Sequence, residues 1–390
     1  MQSDARHHAA LNVLGIIASQ SGELEKACEY FGRAHGLLPS HAEYRSNLVI
    51  ATGHRAEALS RQGDYASALP LYTWLLTDET DPAMRAGITA RIRALTMVAA
   101  LRDMRDQFDR AGPHAPPSEL VSSVYAQIPE ATAATTCVFF HIEKFDARLM
   151  GQLRGRSGDQ IDLRDVLRDS VKAARLTNPT CRVVILTDRH TALPQMDGAQ
   201  IVRLPLQSDR LIYEKTLAYY ALALSARLTG PIVYLDTDIC VNRSFSDLDF
   251  TPFDIALTYR SDPDLPEMPV NEGVILASSS AAASRFFGLC LGIHDLVCAA
   301  APVRERYAFD IGTWWGPQLS IAAFCDWQVP PKRAEIDDIR GLRCRFLPCE
   351  QYNFTPSEMP IRAHLTDKWI VHFKGPRKHW MAHYLAQYQS

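Results

Sequence analysis

The sequence predicts an open, mostly parallel α/β sheet preceded by an all-α domain of helical repeats. Three observations predict it. Two N-terminal segments, 21–39 and 62–82, align with each other. A proline-rich stretch, 111–120, then breaks the helical pattern. After it, apolar strand runs alternate with amphipathic helices. At 390 residues the chain exceeds one typical core. We place the helical domain at 1–112, a linker at 113–134 and the α/β domain at 135–390.

The repeat comes first in the chain. Gly22 matches Gly63, Ala27 matches Ala68, and Phe31 matches Tyr72. In each copy a glycine opens a turn, an alanine permits close helix contact, and an aromatic fills the gap between helices. Leu14, Gly15, Ala18, Gly22, Ala27, Phe31, Ala34 and Pro39 together resemble the tetratricopeptide repeat. Gly63 follows Gly22 by 41 residues, against about 34 in that repeat. The excess is roughly two helical turns and predicts a lengthened helix starting near His41. Residues 82–110 carry Met84, Ile88, Ile92, Leu95 and Val98 at helical spacing and read as a capping helix. So short an array serves as a structural cap, a self-association surface or a shallow groove for a protein partner.

The α/β part follows in order. Strand patterns fall at 135–143, 181–188, 199–206, 230–238, 254–260, 272–278 and 368–373. Helices are predicted over 161–176, ended by Asn178-Pro179, and over 213–228. Ligands on such a sheet sit beyond the carboxyl ends of the strands. There is no GxGxxG after the first strand and no GxxxxGK[ST], so the ordinary dinucleotide and phosphate-loop signatures are absent.

Composition narrows the classes. A net charge of -3 offers no broad basic field to nucleic acid or an anionic membrane. No apolar run is seen near the roughly 18 residues a membrane helix needs, and the N-terminus lacks a signal-peptide pattern. Nine scattered cysteines without CxxC fit free thiols in a reducing compartment. The expectation is a cytoplasmic protein without a transmembrane segment or a nucleic-acid partner.

The chemistry concentrates in two segments. Ile232-Val-Tyr-Leu runs straight into Asp236-Thr-Asp238. Burying lone carboxylates is costly, so this pair belongs at a strand exit in a cleft. It suits a hard divalent cation, Mn2+ or Mg2+, although such a pair also caps turns without any metal. Near the C-terminus, His372-Phe-Lys-Gly375-Pro-Arg-Lys378-His-Trp380 follows an apolar strand. It offers an imidazole ligand, a glycine that permits close backbone approach, and the cations Lys374, Arg377 and Lys378 for a phosphate.

Both segments resemble the motifs of glycogenin-like glycosyltransferases of family 8, which have the GT-A fold. The first looks like their DxD motif and the second like their H-x-x-G-x-x-K motif. The resemblance runs from the strand at 135 to the C-terminus. It implies that Asp236, Asp238 and His372 hold the metal, and that Asp236, Gly375 and Lys378 meet the diphosphate of a nucleotide-sugar donor. It further implies donor contact by Lys215 and a sugar-lining turn at Asn271-Glu272-Gly273, where Glu272 is an unusual middle residue. Trp314-Trp315-Gly316-Pro317-Gln318 is similar to the family's Gly-Asp-Gln segment, with Pro317 replacing the aspartate and Asp310 the nearest substitute. His141 and Asp188 lie at strand ends where such folds meet the nucleobase, with Arg189 beside the latter. Glu272, Asp310 and Gln318 are the residues expected nearest the chemistry.

The expected activity is transfer of a sugar, most simply from a UDP-sugar, with retention of configuration. The acceptor is open, with a protein or glycan favoured by the repeat domain. Segments 148–159 and 261–269 are candidate closing loops. The alternative is a catalytically silent scaffold that binds through its repeats. A nucleotidyltransferase is disfavoured, because FFHIEKFDAR lacks a glycine- and lysine-rich loop.

Overall fold

The computed structural model describes residues 2–115, 117–132, 135–143, 162–196, 198–207, 210–261, 266–307, 316–330, 332–358 and 365–388. The chain divides into a helical unit over Met1–Asp103 with Asp264–Glu267, and a larger unit over Met104–Pro263 and Met268–Ser390.

The helical unit is a run of antiparallel hairpins: α1 (Gln2–Gln20), α2 (Leu24–Leu37), α3 (Ala42–Gln62), α4 (Tyr65–Asp78) and α5 (Pro82–Asp103). Gly22 and Gly63 sit at the two matching turns with φ of +76° and +77°, a region that favours glycine. The longer spacing is absorbed by α3, which starts at Ala42 and runs 21 residues, against 14 in both α2 and α4. Ala27, Phe31 and Ala34 are buried in the first hairpin, and Ala68 and Tyr72 in the second. Gly15 lets α1 approach α2, since a Cβ there would lie 2.6 Å from the Phe31 ring. The helix expected over 82–110 is interrupted by a turn at Met104, and α6 (Arg105–Arg110) belongs to the larger unit.

Within 113–134 the chain forms α7 (Ser118–Gln127) and the short strand β1 (Ala131–Thr132). The side chain of Gln127 exchanges hydrogen bonds with the backbone of Arg203, at 2.7 and 2.9 Å. These bonds satisfy polar groups at a sheet edge that would otherwise be open.

The remaining strands are β2 (Thr136–Phe140), β3 (Arg182–Asp188), β4 (Gln200–Leu204), β5 (Leu228–Thr229), β6 (Ile232–Leu235), β7 (Ile239–Val241), β8 (Ile255–Tyr259), β9 (Val270–Ala277), β10 (Ile336–Ile339), β11 (Leu342–Pro348) and β12 (Ile370–His372). Eight of them form one sheet in the order β10-β11-β8-β9-β6-β2-β3-β4. It is the open, mostly parallel α/β sheet that the alternation predicts, with β9 and β10 running antiparallel to their neighbours. Alternate residues face opposite sides. Cys137, Phe139, Val183, Ile185, Val233 and Leu235 share a core with Leu167 and Val171 of the helix Leu163–Thr177. On the other side Tyr234 meets Tyr219 of the helix Leu211–Leu224 and Phe287 of the helix Ser280–Ala299.

One composition-based expectation needs correction. Ser280–Ala299 is long and apolar enough to cross a membrane, with mean hydropathy 1.3 over its best window. Inside this fold it is a core helix. Just over half of that window, 56%, is buried, and Phe286, Phe287, Leu291 and Ile293 are all inaccessible. Serine, glycine and histidine within the helix broke up the run in the sequence.

The Gly15 contact is testable. Replacing a mid-helix glycine by alanine favours helix by about 1 kcal/mol on propensity alone. Here the added methyl meets the Phe31 ring, and overpacking costs about 1–3 kcal/mol. Gly15→Ala is therefore expected to lower stability in denaturant unfolding, and a stabilised variant would contradict the close packing of α1 on α2.

Candidate metal and phosphate site

The parallel strands β2, β3 and β6 end on one edge of the sheet, at His141, Asp188 and Asp236. The four residues of β6 are fully buried between β2 and β9. Beyond Leu235 the chain turns out of the sheet, and the carboxylates of Asp236 and Asp238 emerge there. Ser170 pins this turn. Its hydroxyl donates to the Thr237 carbonyl at 2.5 Å and accepts from the Ile239 amide at 3.2 Å.

A second, two-stranded sheet brings in the histidine. β12 pairs antiparallel with β7, and His372 lies opposite Ile239. The Phe373 amide donates to the Asp238 carbonyl at 2.8 Å. The imidazole thereby reaches residues more than 130 positions away. His372 Nε2 is 2.9 Å from Asp238 Oδ1 and 3.8 Å from Asp236 Oδ2. One ligand atom from each of the three side chains lies within 4.8 Å of the others. The side chain of Asp236 keeps 30% of its exposure and that of Asp238 only 10%, so a ligand enters on the Asp236 side.

The tautomer of His372 follows from its other nitrogen. Nδ1 lies 2.7 Å from Asn353 Oδ1. The Asn353 amide group donates to Asn271 Oδ1 at 2.9 Å and to Thr258 Oγ1 at 3.1 Å. Asn353 thus presents an oxygen to the ring, and Nδ1 carries the proton. Burial holds the imidazole below its ordinary pKa, against the pull of Asp238. With that proton on Nδ1, Nε2 is the nitrogen that faces the carboxylates, at hydrogen-bond distance from Asp238, and a cation entering between them would take it as a ligand. The donor set, two carboxylates and one imidazole, fits Mn2+ or Mg2+.

Lysines balance the carboxylates. Lys378 Nζ is 2.5 Å from Asp238 Oδ2. Lys215 Nζ is 3.1 Å from both Asp236 Oδ1 and Glu272 Oε1. Burial would raise the Asp238 pKa, but Lys378 and His372 outweigh it and hold the carboxyl well below its usual range. Burial pulls Lys215 down, while Asp236 and Glu272 lift it above an ordinary lysine. Burial also raises Glu272. Lys374 is held below the usual lysine value by burial and by the nearby Arg260 guanidinium.

Asn271-Glu272-Gly273, expected as a turn, is an irregular stretch inside β9. Leu257 pairs with Ile275, whereas Thr258 pairs with Asn271. The intervening residues bulge, as strands often do beside a site. Gly273 lies against the cluster, with its carbonyl accepting from the Asp236 amide at 2.9 Å. A Cβ on Gly273 would lie 2.7 Å from His372 Cε1 and 2.8 Å from Asp236 Oδ2. Gly375 has φ +60° and starts the short helical turn Gly375–Trp380, which carries Lys378.

The structure thus brings Asp236, Asp238, His372, Lys215, Glu272, Asn271 and Lys378 together. Asp188 sits on the same sheet edge, where its Oδ1 accepts from the backbone amides of Thr191 at 2.6 Å and His190 at 3.2 Å. Arg189 pairs with Glu119 at 2.9 Å. His141 is buried, which pushes its pKa down to about 4. Its Nε2 and the Nε2 of Gln318 are buried with no hydrogen-bond partner among the described residues. Such orphaned groups call for a partner. Pro317 lines a small cavity with Lys215, Glu272 and Ser320. Asp310, Trp314, Trp315 and segment 148–159 lie outside the described residues, as do 262–265 of the second candidate loop. Sequence reasoning missed Asn353, Thr258 and Ser170. They are uncharged and belong to none of the quoted motifs.

No family model matches the chain. Over 68 residues, 17% of its length, it is 40% identical to tetratricopeptide repeat protein 36 of Mus musculus. The chain spans about a third of that curated relative, 33%. Among solved structures, it overlays a glycosyltransferase involved in glycosylation of the major capsid of PBCV-1 at a TM-score of 0.37 and 13% identity. That overlay covers 64% of this chain and 99% of the other. The glycosyltransferase GlyE of Streptococcus pneumoniae TIGR4 also overlays at 0.37 and 13%, over 65% of this chain and 61% of that one. Overlays this loose assign neither a family nor an activity.

The tight space at Gly273 yields a prediction. Gly273→Ala is expected to leave the protein folded by circular dichroism yet weaken Mn2+ binding by at least about tenfold, the scale of losses seen when a metal ligand's support is disturbed. Unchanged calorimetric affinity would show that the cluster does not bind the ion.

Proposed function

We propose that this chain is a metal-dependent glycosyltransferase that moves a sugar from a nucleoside diphosphate sugar, a UDP-sugar, to a protein or glycan acceptor with retention of configuration. One observation carries the reading: two carboxylates at a strand exit meet a histidine whose Nε2 faces them, amid buried lysines. The DxD-like and H-x-x-G-x-x-K-like motifs supply the rest.

When bound by Asp236, Asp238 and His372, Mn2+ or Mg2+ neutralises a diphosphate and stabilises it as a leaving group. The remaining roles belong to the chain. The formal charges of Asp236, Asp238 and Glu272 are matched by Lys215, Lys374 and Lys378. A divalent ion added to this balanced set leaves a surplus that suits a diphosphate. Lys378 is close enough to Asp238 to exchange that carboxylate for a phosphate oxygen, and Lys374 stands two residues from the metal ligand. These preorganised cations stabilise charge as it grows on the leaving group. Lys215, shared by Asp236 and Glu272, stays fixed between the metal ligands and the cavity lined by Glu272 and Pro317. His141 Nε2, a donor or acceptor, and Gln318 Nε2, an amide donor, are groups left for the donor's base and sugar.

Pro317 stands where the resembling enzymes carry an aspartate, and this favours one competing reading: a catalytically silent scaffold that binds a partner through its repeats. A panel of nucleotide sugars with Mn2+ separates the two by thermal shift and hydrolysis. UDP is expected to raise the melting temperature only with Mn2+, and one UDP-sugar to be slowly hydrolysed. Asp238→Ala should remove the Mn2+-dependent increment. Mn2+-dependent binding with turnover supports the transferase, and no nucleotide binding at all ends that reading in favour of the scaffold.

A further inference from the structure

We infer that Asn353 is a positioning residue whose single amide sets the His372 tautomer and the Asn271 amide together, and so couples the metal ligands to the donor pocket. The inference rests on the glycosyltransferase reading for its ligands, but its geometry stands alone. Asn353 is buried, with 1% exposure. Its backbone is fixed next to β12. Its amide donates to the Cys349 carbonyl, and the following residue, Phe354, bridges to Val371. Phe354 also accepts from the His372 amide at 2.7 Å. Asn353 and His372 are therefore held in mutual register by backbone bonds.

Every side-chain hydrogen-bonding group of Asn353 is used. Nδ2 has two hydrogens and two acceptors, Asn271 Oδ1 and Thr258 Oγ1. Thr258 gives its own hydrogen to the Asn271 carbonyl at 3.0 Å, so its oxygen is left to accept. Asn271 Oδ1 also accepts from the Gly273 amide at 2.9 Å, so two donors together hold the flip of that side chain. Reversing the Asn353 amide would set its oxygen against two acceptors and its nitrogen against a protonated Nδ1. The network admits one arrangement. In it His372 faces the carboxylates with Nε2, and the Asn271 Nδ2 group is turned away from Asn353.

The two halves of this role separate in two variants. Asn353→Leu removes both. Asn353→Asp keeps an acceptor for His372 Nδ1 but replaces the donor to Asn271 with a second acceptor. Mn2+ affinity is read by calorimetry with the metal alone, and UDP affinity at saturating Mn2+. The His372 tautomer is read without metal from its ring 15N shifts. Asn353→Leu should weaken Mn2+ binding by about 10–100-fold, the usual loss for a partner of a metal ligand, and lose the signature of a proton on Nδ1. Asn353→Asp should keep that signature and bind Mn2+ at least as well as wild type, yet lose UDP affinity. Circular dichroism checks both folds, and the aspartate variant decides the matter if the leucine variant does not fold. Mn2+ and UDP affinities that fall in parallel in both variants, or a His372 tautomer that never responds, overturn the inference. Failure of the wild type to bind Mn2+ sinks the functional reading instead. The metal-free tautomer spectra then still decide whether Asn353 positions the ring.

Discussion

Three residues of antiparallel pairing between β7 and β12 bring the C-terminal histidine to the acidic turn after β6. The main sheet alone supplies only Asp236 and Asp238. The His372–Ile239 register carries the imidazole to them. A slip of one residue would turn His372 to the opposite face. The register is reinforced from three directions: the Phe373 amide on Asp238, the Asn242 amide on Trp369, and the Phe354 bridge to Val371. A short pairing is thus made specific by its neighbours.

Charge balance follows from that convergence. Bringing Asp236 and Asp238 together, with Glu272 close behind, costs desolvation and repulsion that buried lysines must offset. Lys215 answers Asp236 and Glu272, and Lys378 answers Asp238. The same lysines are the groups a diphosphate needs. The metal-free protein thus holds its carboxylates paired with lysines. Gly273 leaves the space for this, because its missing Cβ is where the imidazole and a carboxylate oxygen approach.

Much of this was legible in the sequence, for identifiable reasons. The buried run Ile232–Leu235 ending in two aspartates announces a strand exit, since such a run can end in charge only at an edge. The repeat was legible because Gly22 and Gly63 sit at turns of positive φ, and because the extra residues had to lengthen a helix. Less was visible where tertiary context decides. Asn271-Glu272-Gly273 is a bulge because β8 pairs on both sides of it, which no local pattern reveals. Asn353 acts through amide geometry, which has no spacing signature. The core helix Ser280–Ala299, the edge strand β10 and its neighbour β11 were not singled out, because their patterns are short or interrupted. Asp188 reads as a ligand from its place at a strand end, whereas its Oδ1 also holds the turn that follows.

The central claim is that Asp236, Asp238 and His372 bind one cation together. Crystals grown with Mn2+ and UDP test it most directly, through the anomalous signal of the metal. The account predicts a single strong peak within about 2.0–2.4 Å of both carboxylates and of His372 Nε2, a range typical of such ligands, with the diphosphate on its open side near Lys374 and Lys378. A peak elsewhere, or a nucleotide bound with His372 still paired only to Asp238, would contradict it.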